Sequence, residues 1–229
     1  MNSASGDTET DAAGFVLAGG ESSRMGRDKA LQPFAGRPLV ECALSILREA
    51  GLEPGIAGAR AALDGFAPVV ADAEPGLGPL SGVCAALVSA SARRAVFLPV
   101  DLPLLPPSLI VFLLRRAQIT GRAVTVASVS GFAQTFPAVL DRAALPALRN
   151  ELENGRRGCF AAFQAAAASL KQSLDLVPAE FLVQSGKIAH VNGLPTACWF
   201  QSVNTPDQLR RAEARAGIRL APAPRARFA

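Results

Sequence analysis

Phe15-Val-Leu-Ala-Gly-Gly-Glu-Ser-Ser-Arg-Met-Gly-Arg-Asp-Lys29 opens as a short apolar strand, Phe15 to Ala18, and runs directly into a glycine pair. Gly19 and Gly20 let the backbone come close to an anion, with successive amide N–H groups aimed at phosphate oxygens. Arg24 and Lys29 add a planar fork and a point charge, which together can hold a triphosphate. The spacing is neither GxxxxGK[ST] nor GxGxxG, so P-loop and dinucleotide-binding readings are not supported. A bare Gly-Gly is an ordinary turn with a solvated edge. Gly-Gly followed by Arg24 and Lys29 after a strand points instead to a phosphate-binding loop.

Outward from this loop, strand and helix alternate without an internal repeat. Leu39, Cys42, Ala43, Ile46, Leu47 and Ala50 share one helical face behind Pro38, and Gly51 ends that helix. Pro68 to Ala71 forms a second short apolar piece leading to Asp72, and Leu80 to Ser89 reads as a small-residue helix. Ala95 to Val100 is apolar without alternation, as expected of a central strand covered on both faces. A helix follows through Leu109, Phe112, Leu113 and Arg116. Arg122 to Val129 and Phe136 to Leu140 read as strands, with helices at Leu145 to Glu153 and Cys159 to Ala168. From Ser173 to Leu194 the pattern weakens, and Ser185-Gly186 reads as a hairpin turn. Trp199 to Val203 reads as a last strand and Pro206 to Ala216 as a closing helix. The expected architecture is α/β: a three-layer, Rossmann-like fold with a mostly parallel central sheet. Its domain spans residues 14–217, between tails at 1–13 and 218–229. Ligands of such folds lie past the C-terminal ends of the strands.

Half of the 229 residues are hydrophobic, enough for one core, and no apolar run approaches the ~20 residues of a membrane span. Met1 to Ala13 is polar and acidic, unlike a secretory signal, so a cytoplasmic location is expected. Cys42, Cys84, Cys159 and Cys198 are scattered without a CxxC pair and read as small buried apolar residues. The net charge of +4 is spread, and the aromatics do not interleave with it, which fits an anionic small substrate better than a nucleic-acid track. The single histidine, His190, falls in the segment read as a surface hairpin, and two-histidine metal sites are impossible. Carboxylates, lysine, arginine and backbone amides remain, a set suited to phosphoryl-group chemistry.

Asp101 ends the most apolar strand, where an open parallel sheet presents its ligands, and a carboxylate there can bind Mg²⁺. An Asp after a strand more often caps the next helix, but Pro103, Pro106 and Pro107 push that helix downstream. Asp72 has two even readings, a turn cap or a ligand contact. Arg156 and Arg157 follow the helix-ending Gly155; they hold an acceptor phosphate or complement the helix terminus. Asn204 precedes a Thr-Pro helix entry and is either a cap residue or a cleft residue.

The loop resembles the signature of the molybdenum-cofactor guanylyltransferase family, and similar loops occur in sugar-nucleotide pyrophosphorylases. The resemblance extends through Gly78-Pro-Leu-Ser-Gly82, Leu98-Pro-Val-Asp-Leu-Pro-Leu-Leu-Pro106, Gly155-Arg-Arg157 and Asn204-Thr-Pro-Asp-Gln-Leu209. It implies nucleotide contacts from Leu17, Ala18, Gly19, Gly20, Lys29, Asp72 and Asp101, with Asp101 as the magnesium ligand. Lys29, Arg24 and Asp101 become the catalytic group, and Arg156, Arg157 and Asn204 the acceptor side. GTP and a molybdopterin-type acceptor are the implied substrates, with transient contact to molybdoenzyme maturation proteins and no role for nucleic acid or membrane. The chain departs from the family at Gly55-Ile-Ala-Gly-Ala-Arg60, where an Asn is frequent, and at Gln201-Ser202 before Asn204. Related alternatives are a cytidylyl-, sugar-phosphate or phospholactate nucleotidyltransferase on the same fold; a non-catalytic nucleotide-binding assembly protein is the alternative of another class.

Overall fold

A computed structural model describes residues 12–18, 28–58, 61–72 and 76–217. Its main sheet has seven strands: β1 Ala12–Leu17, β2 Pro54–Ala57, β3 Val69–Val70, β4 Arg94–Pro99, β5 Val124–Val129, β6 Phe132–Asp141 and β7 Asp175–Pro178. Their order is β3-β2-β1-β4-β6-β5-β7. Every neighbouring pair is parallel except those made by β6, which runs antiparallel to β4 and β5. Chain reversal comes at Ser130-Gly131, both with positive φ, in a two-residue turn that pairs Val129 with Phe132. That turn geometry matches the twist of the flanking strands, and glycine at its second position adopts it without a Cβ penalty.

The helices are α1 Leu39–Glu49, α2 Pro79–Ser89, α3 Pro107–Thr120, α4 Leu145–Glu153, α5 Cys159–Ser169, α6 Ala179–Gln184, α7 Thr196–Trp199 and α8 Pro206–Arg215. A two-residue antiparallel ladder, Pro33–Phe34 with Arg37–Pro38, leads into α1. Alternation along the central strands divides the core. Val16, Val96 and Leu98 face α1, α3, α6, α7 and α8, whereas Phe15, Leu17, Ala95 and Phe97 face α2, α4 and α5. This is the expected three-layer, mostly parallel arrangement.

Four local expectations are corrected. The first strand begins at Ala12, so Ala12 and Ala13 belong to the sheet rather than to a tail. Residues 173–194 hold β7 and α6, not a hairpin: Ser185-Gly186 is the end of α6, with Ser185 N–H donating to Phe181 O. Ala179 and Leu182, one helical turn apart, are buried while Phe181 and Val183 are exposed. Such a short apolar run does not distinguish the two periodicities. Trp199 closes the helical turn α7 instead of opening a strand; the indole is fully buried and its Nε1–H donates to Leu194 O at 2.9 Å. His190 is half-buried beside it, with ring centroids 6.2 Å apart. Its Nδ1 accepts from Asn192 N–H, which places the proton on Nε2, facing Leu104 O at 3.1 Å. Burial pushes the imidazole pKa down. The cysteines are free thiols; Cys42, Cys84 and Cys159 are buried, and Cys198 is only half-buried.

Candidate active site

The site is assembled at the C-terminal ends of β1 and β4, where a parallel sheet leaves its loops room to diverge. Leu17 and Ala18 leave β1 while still tied to the sheet: Val100 N–H donates to Leu17 O and Ala18 N–H to Ala57 O. Gly19, Gly20 and Arg24 lie outside the described residues. The chain returns at Asp28, whose Oδ1 accepts from Ala30 N–H and starts a short 3₁₀ turn, Lys29–Leu31. Ala30 is buried, so it anchors the turn and leaves Lys29 at the cavity wall.

Asp101 follows β4 by two residues. It does not cap α3, which starts at Pro107 behind Pro106. Its Oδ2 instead accepts from Lys29 Nζ at 2.7 Å, with the two side chains 18% and 21% exposed. Lys29 Nζ also donates to Asn204 Oδ1. Asn204 arrives on the segment entering α8, which is fixed to the segment just past β4 by a bond from Val203 N–H to Asp101 O, 3.0 Å. Three remote parts of the chain therefore meet at one ammonium group.

Lys29 and Asp101 border a cavity of about 360 Å³, lined also by Leu17, Ala18, Asp28, Gln134, Thr135 and Phe136. The last three escaped sequence reading. They lie on β6, which the Ser130-Gly131 reversal returns antiparallel beside β4 and β5; nothing in their residue types signals it. Among the described residues no three His, Cys, Asp or Glu side chains cluster as a metal site. A carboxylate beside an open cavity, with Asp28 also on its lining, suits magnesium, which keeps waters and substrate phosphate oxygens as its remaining ligands. The donor set thus fits a cation carried in with a nucleotide.

Asp72 lies past β3, against α2. Its Oδ1 is buried without a hydrogen-bond partner among the described residues, and burial pushes its carboxyl above the usual range. Gly82 faces it: a Cβ there would sit 3.2 Å from Asp72 Oδ1, so the glycine makes room for the carboxylate. A buried acceptor without a donor costs free energy, which is recovered when a ligand supplies an N–H.

Arg156 and Arg157 lie at the end of α4 and are not among the residues lining this cavity. Arg156 forks onto Glu151 at 2.6 and 2.7 Å and holds its carboxyl below the usual range. Its backbone N–H donates to Glu151 O, so it closes the helix terminus. Arg157 is exposed and makes no ion pair among the described residues.

Residues 14–171 match the model of the family described as MobA-like NTP transferase domain. The chain is 39% identical over 151 residues to a probable molybdenum cofactor guanylyltransferase of Opitutus terrae, covering 63% of this chain and 74% of that one. It is 46% identical over 107 residues to a molybdenum cofactor guanylyltransferase of Xanthomonas euvesicatoria pv. vesicatoria, covering 46% of this chain and about half, 54%, of that relative. Among solved structures, molybdopterin-guanine dinucleotide biosynthesis protein A of Archaeoglobus fulgidus superposes with a TM-score of 0.71 at 20% identity, over 90% of this chain and 98% of the other. At that identity the likeness concerns the fold.

Proposed function

The chain belongs to the MobA-like NTP transferase family, and we propose that it transfers GMP from GTP to the terminal phosphate of a molybdopterin-type acceptor, in the cytoplasm. The observation that carries this reading is the Lys29–Asp101 pair at the mouth of the strand-end cavity. Two relatives named as molybdenum cofactor guanylyltransferases support the choice of substrates. No helix among the described residues is long and apolar enough to cross a membrane.

An oxygen of the acceptor phosphate attacks the α-phosphorus of GTP, a new P–O bond forms, and the α–β bridge breaks to release pyrophosphate. The attacking phosphate is already largely ionised at neutral pH, so no histidine or other general base is required. Asp101 would hold magnesium, which neutralises charge on the triphosphate when bound. The Lys29 ammonium offsets charge developing on the departing pyrophosphate. Leu17 and Ala18 border the nucleotide, and the unsatisfied Asp72 acceptor suits an N–H of the base. Gln134 and Thr135 line the same cavity as Lys29, and Arg157 offers charge to the acceptor. The test is pyrophosphate release from GTP, CTP and UTP, with and without molybdopterin. Release with GTP that requires the acceptor is the expected result; preference for CTP or UTP would move the protein to another branch of the family.

A further inference from the structure

Sequence reading placed Asn204 on the acceptor side, but its side-chain amide is occupied from within the protein. Its Oδ1 accepts from Lys29 Nζ, while its Nδ2 donates to Ser202 Oγ at 2.8 Å. Lysine carries only donors, so the amide must turn its oxygen to Lys29, and the Ser202 hydroxyl then receives the N–H. The backbone is fixed as well: Asn204 N–H donates to Gln208 Oε1 at 2.7 Å, and Gln208 N–H to Thr205 Oγ1 at 3.2 Å. Ser202, Asn204 and Gln208 thus form a small scaffold that ends on the lysine.

Among the described residues Lys29 meets acceptors of different kinds, the charged Asp101 and the neutral Asn204. A metal-bound triphosphate makes demands on both members of the ion pair, cation on Asp101 and phosphate on Lys29. An ammonium on a flexible four-carbon stem, released from Asp101, loses the direction that the carboxylate gave it. A neutral amide keeps it in place without cancelling the charge that a phosphate needs. We propose that Asn204 is a positioning residue for Lys29, a neutral second seat that holds the ammonium at the cavity wall when Asp101 is engaged by metal and nucleotide. Ser202 and Gln208 fix the orientation of that seat. The inference rests on the nucleotide-transfer reading of the site.

The test uses the full chain, with Mg–GTP binding measured by calorimetry and turnover measured at varied acceptor concentration. Asn204→Ala should weaken Mg–GTP binding about five- to tenfold and lower kcat, leaving the acceptor KM within about twofold. In a Lys29→Ala background the same substitution should add little, because the effect travels through the lysine. Ser202→Ala should show the same pattern more weakly, with Ser202→Thr restoring it; this pair carries the test if Asn204→Ala does not fold. A raised acceptor KM with unchanged Mg–GTP affinity would overturn the proposal, as would a full effect persisting without Lys29. A wild-type protein that binds no Mg–GTP would refute the nucleotide reading itself, and the inference with it. That outcome is distinct from a wild type and an Asn204→Ala variant that bind Mg–GTP equally.

Discussion

Lys29–Asp101 and Arg156–Glu151 are both close cation–carboxylate pairs, 2.7 and 2.6 Å apart, yet their settings differ. Arg156 and Glu151 are five residues apart at one helix end, and the arginine side chain is 56% exposed. Lys29 and Asp101 are separated by 72 residues, both mostly shielded, and each borders the strand-end cavity. A local pair at a helix terminus forms wherever the helix forms and completes its C-terminal cap. A pair assembled from the 3₁₀ turn at Lys29 and the segment just past β4 exists only because the fold brings the two together. Its charges face a space able to hold a ligand, and a substrate can replace either partner. Close contact alone therefore does not single out a candidate site pair; here an adjoining cavity, with long sequence separation, does.

The sharpest way to break this contrast is Asp101→Asn. Turnover should fall on the order of 100-fold or more if Asp101 holds the metal as proposed, since the change removes the charge that faces Lys29. The melting temperature should remain close to that of the wild type. Near-normal activity at saturating magnesium would place Asp101 with the structural pairs. Lys29→Ala comes next: nucleotide affinity should drop about tenfold or more, the effect of one lost charge-assisted contact. Its melting temperature should stay within about 2 °C. A large loss of stability with intact nucleotide affinity would make the lysine a packing residue.

The two arginines of the α4–α5 turn sharpen the comparison from the other side. Arg157→Ala should raise the acceptor KM roughly tenfold without changing GTP binding, if its guanidinium meets the acceptor phosphate. Arg156→Ala should lower the melting temperature slightly and keep kcat/KM within about twofold, because its fork is spent on Glu151. Equal effects on the acceptor KM would show that Arg156 leaves Glu151 during the reaction. The smallest effect concerns His190. Burial holds its pKa below the ordinary 6.5, so between the two values the unfolded chain binds more protons than the folded one. Stability should be fully present above about 6.5 and decline as pH falls through the folded value. Melting of His190→Gln between pH 7 and 5 should show a shallower slope than the wild type.

Much of the fold was readable because its elements carry strong local signals. The faces of α1 and α4, the proline entries of α2 and α3, and the unbroken apolar run of β4 are each specified within a dozen residues. The region 173–204 was not, because Phe181-Leu-Val183 and Trp199-Phe200 are apolar runs too short to show a period. Within the site, Lys29 stands out by residue type behind a glycine loop, and Asp101 by its place just past the most apolar strand. The Lys29–Asn204 bond joins positions 175 residues apart, and Gln134–Phe136 reach the cavity only through the antiparallel return of β6. Such juxtapositions depend on sheet order, which local pattern does not encode. The Arg156–Glu151 fork was missed for a different reason: Gly155 correctly ended the helix, but nothing in Arg-Arg shows which guanidinium turns back.

The claim that this cluster directs attack at the α-phosphorus is tested most directly by GTP labelled on that atom, incubated with molybdopterin and the wild-type protein. The label should move into a pterin dinucleotide while unlabelled pyrophosphate is released, and Asp101→Asn should lose both products together. Label that stays in GTP, or that appears as free GMP without any dinucleotide, would contradict transfer to the acceptor.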